Sequence, residues 1–133
     1  MHEGGCRCGA IRYTIDGEAA HNALCHCRDC QMASGAPMVA WLAVQASAFT
    51  LTQGEPASYT APSGSTRQFC GTCGTPLFFV NEETLPGTVD VQSVTLDDPD
   101  ALPPQMQIQL ADRRAWMADL DAMPQFERYP GGA

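Results

Sequence analysis

Long hydrophobic runs are absent from this chain. No apolar stretch approaches the ~18 residues of a membrane span, so a membrane is not an expected partner. Basic clusters are absent too. Lys and Arg total 7 against 15 Asp and Glu, for a formal net charge of -8. Such a chain repels phosphate backbones, which argues against nucleic acid. The first residues, Met1-His2-Glu3-Gly4-Gly5-Cys6, lack the basic-then-apolar order of an export signal. The expected location is therefore cytoplasmic. There thiols stay reduced, and clustered cysteines read as metal ligands or redox groups rather than disulfides. A total of 7 cysteines, being odd, also fits a fully paired framework poorly. With no repeat, low-complexity tract or dividing linker, the 133 residues are expected to make one domain.

What the chain does have is turns and thiols. Its 12 glycines and 10 prolines predict many short strands. Ile11, Tyr13 and Ile15 alternate with polar residues, which predicts a strand over 10–16 paired through a tight turn with one over 2–8. Residues 21–27 read as a strand carrying Cys25 and Cys27. Asp29 is a plausible helix N-cap and Gly35 a stop before Pro37. Met38 to Val44, apolar throughout, reads as a buried strand. Short strands follow at 49–52, 58–60 and 76–80, with 66–70 leading into the last thiol pair; Val89, Val91 and Val94 mark a further strand, and Met106, Ile108 and Leu110 alternate with glutamines. One or two helical turns fit 112–120. The expected class is mainly β, with residues 1–128 as one zinc-binding domain and 129–133 as a frayed tail.

The cysteines fall into three groups. Cys70-Gly71-Thr72-Cys73-Gly74 has the form of a zinc knuckle, and Cys6-Arg7-Cys8-Gly9 supplies a second thiol pair before a glycine. Together they make four thiolates, a closed structural zinc set that would tie the N-terminal hairpin to the middle of the chain. A redox dithiol at Cys70 and Cys73 would want a helix N-terminus; here Gly74 and Pro76 lead into a strand instead.

Cys25-His26-Cys27-Arg28-Asp29-Cys30 packs the remaining three thiols into six residues. A zinc site with three protein ligands keeps a fourth position for water or substrate, as catalytic sites do. His2, His21, His26 or a carboxylate are the candidates to close it. His26, between two ligands in an expected strand, should face away and pack or hydrogen-bond. Arg28 either meets charge at the site or is solvated. A site of this kind can bind an external thiol or polarise a carbonyl. The opposing reading is a non-catalytic zinc-stabilised interaction module, with Trp41, Trp116 and Phe126 as a partner-facing patch. A methionine sulfoxide reductase-like enzyme would need a spare reactive cysteine, and four plus three leaves none.

Gly5-Cys6-x-Cys8-Gly9-Ala10-Ile11-Arg12-Tyr13, Cys25-His26-Cys27-x-x-Cys30 leading into Ala33-Ser34-Gly35-Ala36-Pro37, and Phe69-Cys70-x-x-Cys73-Gly74-Thr75-Pro76-Leu77 are in register with a known pattern. The chain resembles the glutathione-dependent formaldehyde-activating enzyme family, whose domain is shared with centromere protein V. The resemblance implies an Mss4-like β-tent of short antiparallel strands. It implies two zinc ions, one on Cys6, Cys8, Cys70 and Cys73 and a catalytic-type one on Cys25, Cys27 and Cys30. It implies carbon–sulfur lyase chemistry on a small thiol such as glutathione or its aldehyde adduct. The chain departs from many relatives at Gln107, where they carry a histidine.

Overall fold

In a computed structural model, residues 1–132 are described; Ala133, the end of the expected tail, lies outside them. The strands are β1 (His2–Gly5), β2 (Arg12–Ile15), β3 (His21–Cys25), β4 (Val39–Gln45), β5 (Phe49–Gln53), β6 (Ala57–Thr60), β7 (Thr66–Phe69), β8 (Pro76–Val80), β9 (Thr88–Gln92) and β10 (Met106–Ile108), with α1 (Arg28–Ser34) between β3 and β4. They form a three-stranded sheet, β1-β2-β5, and a seven-stranded one, β10-β3-β4-β9-β8-β7-β6. The domain is mainly β, as its composition and turn spacing predict. One strand pair departs from the expected antiparallel order: β10 lies parallel to β3, with Ile108 beside Cys25. The chain reaches it through the segment after β9, long enough for the crossover that a parallel pair needs.

Alternation along the strands sorts side chains onto two faces of the large sheet. On one face, Leu42, Val44, Phe78 and Val91 meet Tyr13 and Ile15 of the small sheet and Ile11 just before β2. Tyr13, Phe49 and Phe78 form an aromatic knot with centroids 4.9–5.8 Å apart. Each such buried side chain contributes roughly 1.5–3 kcal/mol by leaving water. The buried Tyr13 hydroxyl finds Thr95 Oγ1 at 2.7 Å. The other face carries Val39, Trp41 and Phe79, packed with Cys25 and Cys30. β4 is covered on both faces, which is why its sequence is apolar without alternation.

Three of the boundaries that differ from the sequence expectation share one physical reason. β1 stops at Gly5, not residue 8, and β3 at Cys25, not residue 27. The helix N-cap is Cys27, not Asp29. In each case a thiol that must converge with others lies where the backbone turns, because an extended strand carries successive side chains apart. The alternation of Met106, Ile108 and Leu110 also misleads, since all three are exposed. Residues 110–112 and 115–122 are 3-10 turns, matching the expected helical turns.

Candidate metal centres

Cys6, Cys8, Cys70 and Cys73 come together where the β1–β2 turn meets the β7–β8 turn. Their four sulfurs all lie within 4.8 Å of one another. A tetrahedron with metal–sulfur bonds of ~2.3 Å has edges of about 3.8 Å. The Cys6–Cys8 and Cys8–Cys70 separations are 3.6 and 3.8 Å, so the donor set suits such an ion. Two matching turns build it. Gly9 N–H donates to Cys6 O and Gly74 N–H to Cys70 O, and both glycines take φ near +80°. A side chain there would be strained, which explains glycine after each pair. Backbone N–H groups aim at the sulfurs: Ile11 at Cys6 (3.2 Å), and Thr72 and Cys73 at Cys70 (3.4 Å each). The Thr75 hydroxyl, 3.2 Å from Cys73 Sγ, and nearby amides pull that thiol down to about 5. Such donors favour thiolate, the form that binds metal.

Cys25, Cys27 and Cys30 form the second group, again within 4.8 Å. Cys25 ends β3 and Cys27 caps α1, its sulfur accepting from Cys30 N–H at 3.1 Å. Cys30 follows in the first helical turn. The expected grip by residues i and i+2 of one strand is therefore a strand end plus a helix cap.

None of the three histidines joins this group. His2 and His21 line a separate cavity of about 380 Å³ with Leu102. At a strand rise of about 3.3 Å per residue, His21 stands about 13 Å from Cys25. His26 is buried, with Nε2 2.9 Å from Gln107 Oε1. With the Gln107 oxygen as acceptor, this contact suits the tautomer that carries its proton on Nε2. Gln107, the departure from many relatives, is thus a partner of His26. Arg28 is exposed, and its Nη1 donates to Gln31 Oε1 at 3.2 Å. Trp41 is 5% exposed and lies in the second cluster, so it leaves the patch suggested by the module reading; Trp116 and Phe126 are exposed.

Two residues that the sequence reading passed over or assigned elsewhere touch the three-thiol group. Trp41 Nε1–H donates to Cys30 Sγ at 3.5 Å, and Arg67 Nη2 approaches it at 3.6 Å. Arg67 also pairs with Asp29 Oδ2 at 2.7 Å and stacks on Phe79, 4.9 Å from its centroid. A hydrogen bond shared with Cys25, helped by Cys27, Trp41 and Arg67, holds the Cys30 thiol down at about 5 against the upward pull of burial. The signal for Arg67 was faint: a charged residue in a short strand just before Cys70. Its partners lie 37 and 38 positions away.

The architecture and sites define a class: a mainly β domain carrying two cysteine clusters able to hold metal. The model of the family described as glutathione-dependent formaldehyde-activating enzyme matches residues 1–112, and the chain belongs to that family. It is 31% identical over 78 residues to an uncharacterised lyase of Schizosaccharomyces pombe; the match covers 59% of this chain and 56% of that protein's length. A solved Rhodobacter sphaeroides protein shares the fold, with TM-score 0.64 and 20% identity over 79% of this chain and 98% of that one. Among the described residues, no helix is long and apolar enough to cross a membrane.

Proposed function

We propose that this protein is a zinc-dependent carbon–sulfur lyase-like enzyme acting on a small thiol–aldehyde adduct, of which S-hydroxymethylglutathione is one form. Cys6, Cys8, Cys70 and Cys73 would hold a structural zinc, and Cys25, Cys27 and Cys30 a catalytic-type one. The observation that carries the reading is the three-thiol group, which no fourth metal-binding side chain joins among the described residues. Family membership supports the thiol-handling chemistry.

A zinc ion bound there would supply Lewis acidity toward a sulfur or oxygen at its remaining position. The chain's own residues set the surroundings. Cys27 fixes the helix start, and Trp41 and Arg67 orient Cys30 and offset its charge. In the cleavage direction the adduct's carbon–sulfur bond breaks, its hydroxyl proton leaves and the thiol regains a proton. Nothing is oxidised or reduced. Zinc-loaded protein should accelerate adduct formation or breakdown across a panel of thiols and aldehydes. No acceleration over the spontaneous rates, with both ions present, overturns the reading and leaves the interaction module. That module is favoured only by the exposed Trp116 and Phe126.

A further inference from the structure

A cavity of about 310 Å³ is walled by Ala33, Trp41, Arg67, Phe69, Pro76 and Gln92, among others. Two of these, Trp41 and Arg67, are the residues that contact Cys30 Sγ. A third, Ala33, lies one helical turn beyond Cys30 on α1. The cavity and the three-thiol group therefore share a wall. The larger cavity near His2 and His21 has no such link.

The wall chemistry is selective. Trp41, Phe69 and Phe78 offer aromatic surface, Ala33 and Pro76 are apolar, and Gln68 and Gln92 are polar but neutral. The cation in the wall, Arg67, is already engaged by Asp29 Oδ2 at 2.7 Å and by Cys30. Arg67 also lines a neighbouring cavity of about 220 Å³, whose lining includes Asp29. The Asp29 and Cys30 contacts are both made by Arg67 Nη2, so a carboxylate entering here would meet a cation whose charge is already shared with Asp29 and Cys30, in a chain of net charge -8. The size also decides something. An apolar cavity of about 150 Å³ accepts benzene, so this one far exceeds what a one-carbon aldehyde needs.

We infer that this cavity receives the carbonyl-derived half of the thiol adduct, and that this half is uncharged and apolar, of aryl-aldehyde size. The inference rests on the function proposed above, which puts the adduct's sulfur at Cys25, Cys27 and Cys30.

Benzyl mercaptan mimics sulfur plus an aryl carbonyl half, and ethanethiol mimics sulfur with almost none. Calorimetric titration of zinc-loaded protein should show benzyl mercaptan binding at least about tenfold tighter, as burial of a phenyl ring predicts. In the Trp116→Phe protein, the remaining Trp41 fluorescence should change with benzyl mercaptan and not with ethanethiol. Ala33 is exposed on α1, so Ala33→Leu should fold normally, narrow the cavity and bring the affinity ratio toward one. Equal affinities for the two thiols in the unaltered protein overturn the inference and leave the proposed reaction standing. Failure of every thiol to bind removes both.

Discussion

The two thiol groups differ in what they join. The four-thiol group closes a long circuit. Cys8 and Cys70, 62 positions apart, meet at 3.8 Å and fasten the turn of the small sheet to a turn of the large one. Its sulfurs are approached mainly by backbone N–H groups of their own turns. The three-thiol group is local in sequence, from Cys25 to Cys30, on the opposite face of the large sheet. Its surroundings are not local: Trp41 comes from β4 and Arg67 from β7. Loop-closure entropy grows with the chain enclosed, so a cross-link through the first group should stabilise the fold far more. The second restrains little chain and instead gathers side-chain donors around one sulfur, an arrangement suited to chemistry.

The largest expected effect tests that division directly. Structural zinc binding releases roughly 10–16 kcal/mol in small peptides, against a total stability of ~5–15 kcal/mol for most domains. Cys73→Ser should therefore abolish cooperative unfolding in a thermal melt followed by circular dichroism. Cys27→Ser should keep the transition and lose about one ion per chain by elemental analysis. If both variants lose stability equally, the two groups do not differ as described.

How each group was read from sequence follows the same contrast. Cys6-x-Cys8-Gly9 and Cys70-x-x-Cys73-Gly74 are legible because a metal knuckle needs its thiols and its glycine within a few positions. Cys25, Cys27 and Cys30 are legible for the same reason. Their backbone is less legible, because periodicity cannot tell a strand from the turn that ends it, and Cys27 is a helix cap. Arg67 was invisible as a partner of Cys30, since strand pairing alone brings it there. Met106 and Ile108 alternate like a half-buried strand and yet are exposed, because β10 only edges the sheet.

The neighbours Phe78 and Phe79 point to opposite faces of β8 and sharpen the comparison next. Phe78 is 2% exposed in the aromatic knot between the sheets. Phe78→Ala should cost about 3–5 kcal/mol in denaturant unfolding, as large core truncations do. Phe79 is half-buried under Trp41 and Arg67. Phe79→Ala should cost about half as much and should weaken metal retention at the three-thiol group. Equal costs with intact retention would mean that the two faces are energetically alike.

A smaller effect is expected at Arg67. Removing a residue that orients a metal ligand typically lowers metal affinity by about 10–100-fold. Arg67→Gln should do so for one of two ions in a chelator competition, leaving the other unchanged. Arg67→Lys should restore part of the loss by keeping the charge without the planar fork. A change in both affinities would place Arg67 in the general stability of the fold instead.

The smallest effect separates the faces by pH. Asp90 lies beside Phe79 and Ala43 in the sheet, on the side of the three-thiol group. It is buried, and its Oδ1 has no hydrogen-bond partner among the described residues. Burial raises its pKa; His21 opposes this and Cys30 adds to it. The folded state therefore binds this proton more tightly than the unfolded chain, whose Asp titrates near ~3.9. The contribution is fully present below that value and is lost as pH rises through the folded pKa. Asp90→Asn keeps the neutral shape and cannot ionise. Zinc-loaded Asp90→Asn should thus gain least at the acid end of the range in which the thiolates keep their metal and melt a few degrees higher near pH 7. Among the described residues Asp90 is the buried carboxylate, so the penalty for ionising a buried acid should arise on the three-thiol side. Identical melting at both pH values would show that Asp90 carries no penalty, and the electrical contrast between the faces would then rest on Arg67 and the thiols.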